Sequence, residues 1–178
     1  MENILEILET GESQKKIEIL ETLHDTDNLK ILQQIISRLN DDSIQVRGEA
    51  FNALLLNSND ITKILIKNLE STNKNIKGFT SLVLANRNEK SAIPEITKLV
   101  NNEHGMVRSC AIGSLGYLHA EKITEIILKS LTDSNLEVQK SALNVAIQTN
   151  IFVSKEKIKE ISKNDDQQIK NLLLKLKK

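Results

Sequence analysis

The chain repeats itself about every 31 residues, and that period restricts it to a narrow class of architectures. Val46-Arg47-Gly48-Glu49-Ala50, Ile76-Lys77-Gly78-Phe79-Thr80, Val107-Arg108-Ser109-Cys110-Ala111 and Val138-Gln139-Lys140-Ser141-Ala142 start 30, 31 and 31 residues apart, and Ile169-Lys170 opens a fifth copy. Fixed columns surround this anchor. Leu39, Leu69, Val100 and Leu131 lie seven residues before it, and Ile35, Leu65, Ile96, Ile127 and Ile158 eleven before. Ile31, Ile61, Ala92 and Ile123 lie fifteen before, and Leu54, Leu84, Leu115 and Ala146 eight after. Steps of three and four residues place these side chains on one face of a helix. A polar column, Asp41, Ser71, Asn102, Asp133 and Asn164, supplies the residue types that turn a chain and cap a helix.

Two amphipathic segments per period mean a helical hairpin per unit. A weaker copy at the start, with Ile4, Leu8, Thr10, Lys16, Ile19 and Leu23 in the expected columns and Lys15 where a Val or Ile is expected, brings the count to six. First helices are predicted at about 2–9, 27–39, 59–70, 90–101, 120–132 and 154–163. Second helices are predicted at about 13–23, 43–57, 73–86, 104–118, 134–149 and 165–177. The units are 1–25, 26–57, 58–87, 88–118, 119–150 and 151–178, read as one domain over 1–178. The outer two are degenerate, as an end repeat with a water-facing side must be.

The fourth unit, Ala92-Ile93-Pro94-Glu95-Ile96 through Asn102, Val107-Arg108, Ala111 and Leu115-Gly116, resembles the HEAT repeat in the short form shared with phycobilin lyases. The second unit matches through Leu39, Asp41, Val46, Arg47, Ala50, Ala53 and Leu54. The third departs with Ser71, Lys77 and Thr80, and the fifth with Gln139. The resemblance implies an all-α α-solenoid, a right-handed superhelix of about six hairpins. Such folds serve scaffolds, adaptors and a few enzymes.

Function is bounded by what is scarce. Lys plus Arg and Asp plus Glu are both 24, and the charge balance disfavours a dedicated nucleic-acid binder. Aromatics are 2% with no Trp, which leaves little for base stacking. His24, His104 and His119 are scattered and form no His-Glu pair of the kind HEAT-type di-iron hydroxylases use. Gly113-Ser114-Leu115-Gly116 is no nucleophile elbow, because Ser114 falls in a core column. Cys110 is the single cysteine and reads as a small, half-buried residue. No catalytic residue, cofactor or metal site is assigned. The start, Met1-Glu2-Asn3-Ile4-Leu5-Glu6, is not a signal peptide, no stretch is long and apolar enough to span a bilayer, and a lone cysteine fits the cytoplasm.

The repeated cations read as architecture: Arg47, Lys77 and Arg108 are expected to bond turn residues such as Asp41, Asn102 and Asp133. The candidate partner-binding surface is the concave face, which the resemblance implies is lined by the second helices on their side opposite the core. Its columns include Phe51, Asn52, Leu55, Leu82, Ala85, Ile112, Gly116, Leu143, Asn144 and Ile147, a strip with one charge in sixteen positions. Burial by tight curvature is the competing reading of that strip. A non-enzymatic scaffold with a protein partner, monomeric or weakly self-associating, is the leading reading. A HEAT-fold enzyme or helper of the phycobilin lyase type and a weak nucleic-acid binder are the alternatives.

Overall fold

The structure, a computed structural model, describes residues 4–176. Residues 2 and 3 of the predicted first helix, residue 177 of the predicted last one, and the acidic Met1-Glu2-Asn3 start lie outside the described residues. The described residues form α-helices and short 3-10 turns with no strand. First helices are α1 (Ile4–Thr10), α3 (Leu29–Arg38), α5 (Thr62–Asn68), α7 (Ile93–Lys98), α9 (Ile123–Ser130) and α11 (Lys155–Ile161). Second helices are α2 (Ser13–Leu20), α4 (Ile44–Leu55), α6 (Lys74–Asn86), α8 (Gly105–Tyr117), α10 (Leu136–Gln148) and α12 (Gln167–Leu176). The chain is therefore an all-α solenoid of helical hairpins. It divides into two compact units, one ending at Ala92 and one beginning at Ile93.

Each unit is built from two layers. In the first, α1 packs on α3 and α3 on α5, while α2 packs on α4 and α4 on α6. In the second, α8, α10 and α12 pack in series. The repeated apolar columns fill the space between layers. Ile35, Leu65, Ile96 and Ile127 are fully buried, as are Leu54, Leu84, Leu115 and Ala146. One continuous cluster in the second unit runs from Ile112 through Leu131, Val138 and Ala142 to Ile169 and Leu173.

The turns explain where helices start. Asp41, Ser71, Asn102, Asp133 and Asn164 each accept the backbone N–H two residues on, at 2.8–3.1 Å. The residue that donates is the one before the next helix: Ser43, Asn73, His104, Asn135 or Asp166. Four of these accept from N–H groups of the first helical turn through their own side chains; His104 does not. Helix ends repeat as well. Asn88, His119 and Asn150, spaced by 31, hold φ of 57°, 53° and 54°. The N–H after each reaches back six-to-one, as in Glu89 N–H to Leu84 O at 2.9 Å, which closes the helix in a Schellman turn.

Arg87 closes another end. Its Nη1 donates to the carbonyls of Leu54, Leu55 and Asn57 at 3.1, 3.3 and 2.6 Å, and its Nη2 to Asn59 O at 2.9 Å. A cation here satisfies carbonyls that α4 leaves without intrahelical partners and complements the negative end of its dipole.

Candidate partner-binding surface

The cation column makes two kinds of bond. Arg47 donates to the carbonyls of its own turn, Asp41 and Asp42, at 2.7 and 3.1 Å. Arg108 does the same to Asn102 and Glu103 at 2.8 and 3.0 Å, then grips Asp133 of the following turn with Nε at 2.9 Å and Nη2 at 2.6 Å. Lys16 reaches Asp41 at 2.9 Å in the same forward sense. Gln139, the uncharged member, bonds only Asp133 O at 2.6 Å, and its neighbour Lys140 takes over the forward pair with Asp166 at 3.1 Å. Among the described residues Lys77 makes no ion pair or side-chain hydrogen bond.

These bonds set the electrostatics of the turns. The Arg108 hydrogen bonds hold the Asp133 carboxyl below its ordinary value despite burial, and Asp133 in turn raises Arg108. At Asp41 burial pushes upward, but the Lys16 hydrogen bond, the Ser43 N–H and the charges of Lys16 and Arg38 together outweigh it. Lys16, Arg47 and Arg108 are thus committed to turn carbonyls and carboxylates, whereas Lys77, expected to do the same, is not.

Other reactive groups are quiet. Burial pushes the Cys110 thiol up to about 11, so it stays protonated at neutral pH and is a poor nucleophile. Ser114 is fully buried. Among the described residues no three His, Cys, Asp or Glu side chains are grouped to hold a metal ion. No described helix is long and apolar enough to cross a membrane.

The strip of second-helix residues is only partly reachable. Ala85, Ile112, Gly116 and Leu143 are buried. Phe51, Leu55, Leu82 and Ile147 are half-buried, and only Asn52 and Asn144 are exposed. The reason is local packing. A Cβ on Gly116 would lie 2.6 Å from a Val145 methyl, so α8 and α10 touch where the expected surface column runs. Small residues there permit close approach and do not mark an open groove.

The open face is rotated by about one residue. On α4 it follows Ile44, Gly48, Asn52 and Leu56 at steps of four; on α6 it includes Lys74, Leu82 and Asn86. In the second unit α8 presents Gly113 and Tyr117, and α10 presents Leu136, Asn144 and Gln148. Ile44 is 72% exposed, Leu56 61%, Tyr117 58% and Leu136 40%. With Leu174 of α12 at 63%, five large apolar residues among those described face water from second helices, two in the first unit and three in the second, and Asn, Gln, Gly and Lys74 share their helices. Sequence reasoning missed them because each flanks a helix end, outside the columns taken as the face.

The period, the paired layers and the turn bonds can be set against known families. The HEAT-repeat family model matches residues 62–148, and one described as HEAT repeat associated with sister chromatid cohesion matches residues 16–48. This chain is a HEAT-repeat protein. Comparison of this HEAT-repeat protein with curated proteins gives no match. Among solved structures it is similar in fold to a designed armadillo repeat protein in complex with the peptide (KR)4. The identity is 16%, the TM-score 0.55, and the match covers 97% of this chain and 96% of that one. A second designed armadillo repeat protein gives 16% identity and a TM-score of 0.53 over 98% and 97% of the two chains.

Proposed function

We propose that this HEAT-repeat protein is a non-enzymatic, cytoplasmic scaffold that holds a protein partner against the outward side of its second helices. The observation that carries the reading is the set Ile44, Leu56, Tyr117 and Leu136, large apolar side chains left in water on second helices. An exposed Tyr such as Tyr117 is the sort of anchor that dominates interface energetics. Asn52, Leu82, Asn144 and Ile147 flank these anchors and supply hydrogen bonds and apolar contact. Phe51 and Leu55 are half-buried on α4, and Ala85, Ile112, Gly116 and Leu143 are buried and so are not offered to the partner. The designed neighbour that holds a peptide supports a polypeptide as the ligand class, and the protonated Cys110 supports a role without covalent chemistry.

The test is affinity capture from the source cell with wild-type protein and with Leu56→Glu and Tyr117→Glu. Both positions are more than half exposed, so a charge there is expected to change stability by no more than about 0.5 kcal/mol. Loss of the captured partner with an intact helical circular-dichroism signal is the expected result. Undiminished capture by both variants would overturn the reading.

A further inference from the structure

The balanced net charge conceals a strong asymmetry along the chain. Up to Asp27 the sequence carries eight carboxylates and two lysines; from Ile151 onward it carries eight lysines and four carboxylates. Three lysines of the second region line an apolar groove in the second unit. It lies between the end of α10, α11 and α12 and has a volume of about 1050 Å³. Ile151 and Ile158 line its floor, and Lys155, Lys159 and Lys175 stand on its walls with exposed side chains. Phe152, at the same groove, is 83% exposed, more than any other large apolar residue described. An exposed phenylalanine beside an apolar trough is unfavourable in water and marks a contact surface.

The first region offers the complementary surface. The α1–α2 hairpin exposes Glu6, Glu9 and Glu12, and half-buried Ile7 sits in a cleft of about 150 Å³ beside Gly11. An acidic, partly apolar hairpin and a basic, apolar groove on one chain are opposite halves of a contact. Both halves are always present at equal concentration. Complementary patches at different places on a molecule produce heterologous, head-to-tail association.

We propose that the α10–α11–α12 groove binds the acidic α1–α2 hairpin of a second copy of this chain. The apolar floor and Phe152 supply the affinity, and the lysine–glutamate pairing supplies orientation and encounter rate. An interface of one hairpin against one groove is small, so the association is weak and reversible. It shares Ile147, at the α10 edge of the groove, with the second-helix face assigned to the partner above, but none of the substitutions below touches that residue.

Sedimentation velocity on the full chain, over a concentration series at about 50 and about 500 mM salt, tests this, because added salt screens exposed charges within a few ångströms. The wild type is expected to gain mass with concentration at low salt and to lose that gain at high salt. Lys155→Glu/Lys159→Glu and Glu6→Lys/Glu9→Lys each remain monomeric alone. Mixed in equal amounts they associate again, because the intact hairpin of one fits the intact groove of the other and the reversed groove fits the reversed hairpin. Phe152→Asp weakens wild-type association by about tenfold or more. A wild type that stays monomeric at low salt throughout, or charge-reversed pairs that associate unmixed as the wild type does, would overturn the proposal. So would a mixture that fails to restore association.

Discussion

Thr80 is where the repeat departs most from its own rule. Its column holds Ala50, Ala111 and Ala142, all buried, and Thr80 is buried as completely. Its hydroxyl has no hydrogen-bond partner. A buried polar atom left unsatisfied costs about 1–3 kcal/mol, and an apolar group of the same shape removes that cost. Thr80→Val keeps the branched shape and the helix propensity while deleting the hydroxyl. It is expected to raise stability by about 1 kcal/mol, seen as a thermal midpoint higher by about 2–4 °C in a chain of this size. Thr80→Ser retains the hydroxyl and loses the methyl, so it is expected to lower the midpoint. A midpoint for Thr80→Val equal to or below the wild type would mean that the hydroxyl is satisfied in solution.

Two glycines show how one residue type carries opposite meanings within the second helices. A Cβ on Gly48 meets nothing within 4 Å, whereas one on Gly116 meets both methyls of Val145 at 2.6 and 2.7 Å. Gly48→Ala therefore collects the helix-propensity gain alone and is expected to stabilise by about 0.5–1 kcal/mol. Gly116→Ala collects the same gain but overpacks against a β-branched side chain with little room to rotate, at a cost of about 1–3 kcal/mol. It is expected to destabilise, and adding Val145→Ala should relieve the clash, so that the double-mutant cycle in urea departs from additivity. The same contact explains what was legible in advance. The helices and the core columns follow from period and residue type, because they depend on local geometry; the caps fall at Ser43, Asn73 and Asn135, two residues past the polar column expected to turn the chain and cap the helix. Which side of α8 or α10 meets water depends on how closely neighbouring helices approach. The residues that decide it, Gly116 and Val145, sit in different units of the repeat. Ile112 and Leu143 therefore pass for surface residues in a helical projection, while Leu56 and Tyr117, one step beyond the chosen columns, are the ones left exposed.

At the scale of the whole molecule the turns form a distributed acid-sensitive element. Asp41, Asp133 and Asp166 occupy turns one or more periods apart, each pairs with a cation from the preceding hairpin, and each carboxyl is held below its ordinary value. For Asp166 the Ile169 N–H is the first cause and Lys140 the second. An aspartate with a lowered folded pKa stabilises the fold fully above its unfolded value, about 3.9, and loses that contribution as pH falls through the folded value. Urea midpoints are therefore expected to hold steady from pH 7 to about pH 5 and to fall below about pH 4. Asp133→Asn isolates one member. The amide can still accept the Asn135 N–H but cannot form the charged fork with Arg108, so at pH 7 the variant should be less stable by about 1.5–3 kcal/mol. As pH drops, the wild type loses what the variant never had, and the two stability curves should converge towards pH 3. Curves that stay parallel would show that Arg108 and Asp133 are held by packing and not by charge, and the remaining acid loss would then belong to the turns at Asp41 and Asp166. Convergence would show that the column joining one hairpin to the next acts electrostatically. That is the role the forward pairs Lys16–Asp41, Arg108–Asp133 and Lys140–Asp166 give it.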